Sequence, residues 1–230
     1  MSAALADAAP RPASLISARD LSVALALAFV GALGAWPGAH GEPDPLALIV
    51  WLSIVAVPCG AFAGASGLRI WPLAPVAPAC WLAAIGIADG LSRRDLPAPA
   101  WVSAAVFGLF AIGFACGRVA PALRWRGTAA LLLLSSALVG AALLGLVLRT
   151  PWPVRVNALL LDLSPATLLA ECAGLDWMRH PVVYDAANTV DIDPLSRVAR
   201  SAPLAGGIVF VVGCTLALVA ERRARRLRSA

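Results

Sequence analysis

Apolar residues fill six long runs of this chain, roughly residues 21–37, 46–68, 70–88, 100–117, 127–148 and 203–220, with short polar breaks between the first five. Each run has the length a helix needs to cross a hydrocarbon core of about 30 Å, some 17 to 25 residues. The pattern predicts an all-α polytopic membrane protein with six transmembrane helices and short amphipathic outer helices between the fifth and sixth. It divides the chain into an N-terminal segment (1–20), a five-helix membrane region (21–148), an outer loop (149–202), a sixth membrane helix (203–220) and a basic tail (221–230).

The outer loop is the one long polar interval. Ser164 and Pro165 read as a helix start, with serine as cap and proline at the first helical position, where its missing N–H costs nothing. Leu168, Leu169, Cys172, Leu175 and Met178 then recur at helical spacing, with Glu171, Asp176 and Arg179 on other faces. Stopped only by Pro181, this helix would run about fifteen residues, too short to cross and amphipathic enough to dip into the outer surface. Val154 to Leu163 (VRVNALLLDL) is a second short apolar piece.

Composition agrees with a lipid solvent: 60% of residues are hydrophobic and 13% charged, against about 25% charged in soluble domains. All 18 basic residues are arginine, which with the many alanines suggests a G+C-rich genome. The net charge of +5 does not point to nucleic acid, because five arginines form the terminal run ERRARRLRSA, an ordinary positive-inside anchor. With both termini inside, the inner segments hold more arginines than the outer ones, which predicts a bacterial cytoplasmic membrane protein with both termini cytoplasmic. Trp36, Trp71, Trp101, Trp125 and Trp152 fall at span ends, where indole settles among headgroups.

What the runs lack narrows the function. None contains Asp, Glu, His, Lys or Arg, whereas ion-coupled carriers and proton pumps need ionisable groups inside the membrane. GASG, residues 64–67, has the form of a rhomboid-type nucleophile motif at Ser66. A serine nucleophile needs a base in reach, and His40 and His180 both fall in outer loops. The phosphate-cradling GxxxxGK[ST] loop is impossible without lysine. The five cysteines show no metal or disulfide spacing, so neither metal nor cofactor is expected, and the chain is read as not an enzyme. Asp185, Asp191 and Asp193 match no calcium loop.

Small residues recur at close-packing spacing, Gly60 with Gly64 and Gly113 with Gly117, both GxxxG. Pro58, Pro72, Pro75 and Pro78 would kink or interrupt the second and third runs, freeing carbonyls that must face protein or water.

The order of features resembles the membrane subunit of export-type (type-2) ABC transporters: six spans, short outer pieces between the fifth and sixth, and an arginine-rich inner tail. LSPATLLAECAGLDWMR, Leu163 to Arg179, is similar to that family's outer segment opening L-x-P. The resemblance implies a permease subunit with its ATPase supplied in trans, paired with a second permease or as a homodimer, moving a hydrophobic or amphipathic substrate. It implies an outer gating helix built on Ser164, Pro165, Leu168, Leu169, Glu171, Leu175, Asp176 and Trp177. Only about Gly67 to Ile70 separates the second and third runs, so ATPase docking would fall to residues 117–128, with Arg118, Arg124 and Arg126. The residues leave two other readings open. One is a non-catalytic structural or assembly subunit that docks a partner through 149–202; the other is a membrane-embedded enzyme using His180, Asp176 and Asp185.

Overall fold

The computed structural model describes residues 45–68, 97–147, 153–175 and 201–229, together with Ser22, Leu25, Ala26, Phe29, Val30 and Leu33. The run at 70–88, most of that at 21–37, and the stretch holding Asp176, Trp177, His180 and Asp185 lie outside the described residues, as do Pro72, Pro75 and Pro78.

Among the described residues all regular structure is helical: α1 (Pro45–Ala65), α2 (Pro97–Val119), a 3-10 turn (Pro121–Leu123), α3 (Arg124–Val147), α4 (Val154–Leu163), α5 (Pro165–Cys172) and α6 (Ala202–Ser229). Ser22, Leu25, Ala26, Phe29 and Val30 are also helical. Four helices are long and apolar enough to cross a membrane, over Leu46–Ala65, Ala100–Val119, Arg124–Ala142 and Leu204–Leu227. α4 and α5, at about 1.5 Å of rise per residue, reach only about half that depth.

α2 lies between α1 and α6, and the contacts run through glycine. A Cβ added at Gly60 or Gly64 would fall inside the carbonyl oxygens of Phe110 and Phe114; one at Gly113 or Gly117 would fall inside those of Val57 and Ala61. The two GxxxG motifs therefore face each other, backbone against backbone. On the other side of α2, Gly108 and Gly213 meet in the same manner, with the Phe210 Cα 2.7 Å from a Gly108 Cβ position. Phe107 and Phe210 rings meet at 5.7 Å beside this crossing.

The residue pairs fix direction. Val57 meets Gly113 and Ala61 meets Gly117; Ala105 meets Gly206 and Gly108 meets Gly213. Numbers rise together, so α1, α2 and α6 are parallel. α3 turns back after the 3-10 turn, starting beside the end of α1, where Phe62 and Trp125 rings lie 5.1 Å apart. The bundle thus has a hairpin end, where α1, α2 and α6 begin, and an arginine end, where they finish. Ala65 and Pro97 stand at opposite ends.

α1 and α2 form the core, with Leu48, Leu52, Val102 and Phe114 almost wholly buried. Their apolar windows are each 61% buried, against 17% for α3 and 28% for α6, so the last two present most of their surface outward. α1 continues through Pro58, which is buried; lacking an N–H, Pro58 gives nothing to the Ile54 carbonyl. α1 ends at Gly67, whose φ of 77° suits glycine. Its N–H donates to Gly64 O and that of Leu68 to Ala63 O, a Schellman stop that buries Leu68. α6 runs on without a break through the basic segment, where Arg225 pairs with the buried Glu221 at 2.8 Å.

Gly113→Ala should destabilise the protein by about 1–3 kcal/mol, the cost of overpacking a tight contact. Gly140→Ala, at a glycine with nothing within 4 Å of its Cβ position, should be neutral or slightly stabilising. Parallel unfolding titrations in mixed micelles check the contrast.

Candidate functional site

At the hairpin end, α4 and α5 make an open helical hairpin jointed at Ser164, the one residue between them, and touch each other only slightly. Ser164 takes the N-cap position in extended backbone, but its side chain makes no capping bond. Its hydroxyl is buried without a hydrogen-bond partner. The turn is held instead by Thr167, whose hydroxyl donates to Leu161 O and, at 2.9 Å, to Ser164 O. The expectation of a serine cap is corrected: serine stands at the right place, while the threonine three residues on supplies the bonds.

The helix length is also corrected. α5 stops at Cys172, far short of Pro181, because Gly174 adopts φ 69°. Gly174 N–H donates to Glu171 O and Leu175 N–H to Ala170 O, both at 3.0 Å, the same Schellman stop as at α1. Pro181 sets only an upper bound on the helix; glycine in the left-handed region ends it sooner.

α5 is not a surface helix. Ala166, Thr167, Leu169, Ala170 and Cys172 are buried, and α5 contacts α1, α2, α3 and α6. Cys172 Sγ lies 2.8 Å from the Cβ position of Gly206, which also looks onto Ala105 of α2. α5 thus plugs the gap where the three parallel helices begin. Burial pushes the Cys172 thiol up to about 11, partly offset by a hydrogen bond from the Gly206 backbone. α4 lies at the edge of the bundle, with Leu159 and Leu163 exposed and Leu161 buried in the core. Of the expected gating residues, Ser164 and Leu169 are buried in the plug, Pro165, Leu168, Glu171 and Leu175 flank it half-buried, and Asp176 and Trp177 lie outside the described residues.

At the arginine end the three arginines of 117–128 do not converge. Arg118 lies 5.7 Å over Phe114 and reaches the stop of α1, 3.7 Å from the Gly67 Cβ position, where a cation complements the negative end of the helix. Arg124 stacks 5.6 Å from Phe62 and 5.3 Å from Trp125. Arg126 is exposed. The link between α2 and α3 is only Ala120 and the 3-10 turn. Ser66 sits in the turn after α1, its N–H donating to Phe62 O at 2.9 Å, at the end away from the hairpin.

Two cavities flank the start of α3. The larger, about 610 Å³, lies among α1, α3 and the N-terminal helical residues; Trp51, Val55, Pro58, Phe62 and Trp125 line it. The smaller, about 240 Å³, is lined by small side chains of α1 and α2 and by Arg124, Gly127 and Thr128 of α3. Sequence reading did not find either; Pro58 and Trp125, noted as a kink and an end marker, were traces of the larger one. Among the described residues no group of His, Cys, Asp and Glu could hold a metal ion. Searches of protein-family models, curated proteins and solved structures give no match to this chain.

Ser164→Ala should leave stability unchanged or raise it, since it removes a buried hydroxyl that has no partner. Thr167→Val removes the hydroxyl bond that holds the turn, while the Leu161 and Ser164 carbonyls keep their backbone partners, and should cost about 0.5–1.5 kcal/mol. Chemical denaturation of the two variants beside the parent protein checks the opposite signs.

Proposed function

We propose that the chain is the membrane subunit of an export-type transporter that spans the bilayer six times, with its termini cytoplasmic and ATP hydrolysis supplied by another subunit. The observation that carries this reading is the α4–α5 hairpin, inserted between α3 and α6, whose α5 arm is seated among the starts of α1, α2 and α6. A pair of helices too short to cross, entering from one face and closing the head of a bundle, is the form an outer gate would take. Parallel α1 and α2 also support a crossing at 70–88, because the chain has to return between Ala65 and Pro97, as α3 returns it between Val119 and Ala202.

Orientation follows from charge. The arginine end carries Arg118, Arg124, Arg126 and the basic turns of α6, and basic residues stay cytoplasmic, so the hairpin faces outward. ATP-driven closure of the partner subunits would rock the parallel helices, and α5 would lift from its seat to release a hydrophobic or amphipathic substrate. Such a substrate suits an interior in which the buried side chains of α5 are alanine, leucine, threonine and cysteine, with Glu171 half-buried at the edge of the plug.

A second reading, a structural or assembly subunit of a larger complex, is favoured by the arginine end. The Gly67 stop and the short α2–α3 link leave an ATPase little to grip. Gentle extraction of the tagged protein from its host, followed by mass spectrometry, separates the two readings. The transporter reading expects an ABC ATPase in roughly equal amount, a contact weakened by Arg126→Glu. A large complex without any ATPase would overturn it in favour of the structural role.

A further inference from the structure

We propose that the 610 Å³ cavity is a binding site for one anionic phospholipid, with an acyl chain inside and the headgroup on Arg124. The cavity lies among Ser22, Ala26 and Val30, the α1 positions from Trp51 to Phe62, and Trp125, Thr128 and Leu132 of α3. Among these lining residues no side chain is charged, and only the hydroxyls of Ser22 and Thr128 and the Trp Nε1 groups are polar outside the Cys59 thiol. One Nε1 is already spent: Trp51 donates to Val30 O at 2.8 Å, closing the side nearer the hairpin. Ser22, Ala26, Trp125 and Leu132 are exposed, so the cavity opens sideways on the apolar surface. What surrounds that surface in a bilayer is lipid.

A helix is about 10–12 Å across. A flexible acyl chain is thinner and can follow the curved wall past Pro58.

Charge selects the headgroup. At the arginine end the cavity is bounded by the Phe62 and Trp125 rings, and Arg124 stacks over both. The two rings hold the guanidinium at the rim, with its N–H edge left to meet an oxyanion, the geometry that suits arginine to phosphate. Thr128 bonds Arg124 O at 2.6 Å, so its hydroxyl and that arginine belong to one helical turn. A basic pocket between membrane helices is a recognised form of anionic-lipid site. The site needs only a bilayer, so it stands apart from the transport reading.

The test is native mass spectrometry of the full-length protein in micelles of equal phosphatidylglycerol and phosphatidylcholine. The parent protein should retain one phosphatidylglycerol in preference to phosphatidylcholine. Ala26→Trp, which fills the cavity from an exposed wall position, should abolish retention of that lipid. Arg124→Gln should lower it about fivefold, the worth of one basic residue near an anionic surface, while Arg126→Gln, two residues on and exposed, should leave it intact. Each variant is scored on the monodisperse fraction that melts like the parent. Equal retention of both lipids by the parent protein, or unchanged phosphatidylglycerol in Ala26→Trp, would overturn the proposal; so would equal losses in Arg124→Gln and Arg126→Gln, which would indicate surface charge alone.

Discussion

Backbone-to-backbone contact of three parallel helices is the constraint on which the rest of this structure depends. Lipid tails are as apolar as leucine, so helices in a bilayer gain nothing from hiding apolar surface from each other and associate through close packing. Here the closeness comes from glycine: Gly60 and Gly64 against Gly113 and Gly117 on one side of α2, Gly108 against Gly213 on the other. With these sites filled by any side chain, α1, α2 and α6 would have to separate and the buried face of α2 would open.

The seat of α5 follows from this arrangement. Three helices that begin at one end and pack tightly along their length leave a recess at their heads, and an eight-residue helix fits it. The fit relies on small groups again, with Gly206 admitting Cys172. Ser164 and Gly174 bound α5 on its two sides, one as a pivot in extended backbone and the other in the left-handed region. α3, held mainly to α1, stands away from the core at its first turns, and the two cavities occupy the space it leaves. A plug at one end and a lateral crevice toward the other thus both arise from one packing decision, that α2 takes α1 and α6 as its close partners.

Much of this was legible from residue pattern, and the failures have physical causes. Apolar runs marked α1, α2, α3 and the start of α6 with errors of a few residues, because length and hydropathy are local properties, but α6 runs nine residues past its apolar run through the basic segment. VRVNALLLDL stood out as too short to cross and is α4 to the residue. GxxxG pointed to close approach, but which helix would be met, and in which direction, depends on the whole bundle. Gly108 and Gly213 passed unnoticed because their contact joins single glycines on two helices; the seven-residue spacing of Gly206 and Gly213 was the available trace. The end of α5 was missed because Pro181 was weighed as a stop and Gly174 was not, although a glycine followed by an apolar residue is the usual Schellman signature. The arginines looked like one docking loop in sequence, yet 118 and 124 are on different helices and each is held by its own aromatic neighbour.

The central claim is that the hairpin end and the arginine end lie on opposite faces of a membrane, with the hairpin outside. Single cysteines placed at two exposed positions in a cysteine-free background test it most directly: Ser201→Cys at the start of α6 and Ala122→Cys in the 3-10 turn after α2. In intact cells a membrane-impermeant maleimide should label position 201 at once and position 122 only after the membrane is permeabilised. Labelling of both from the same side, or of position 122 alone from outside, would contradict the account.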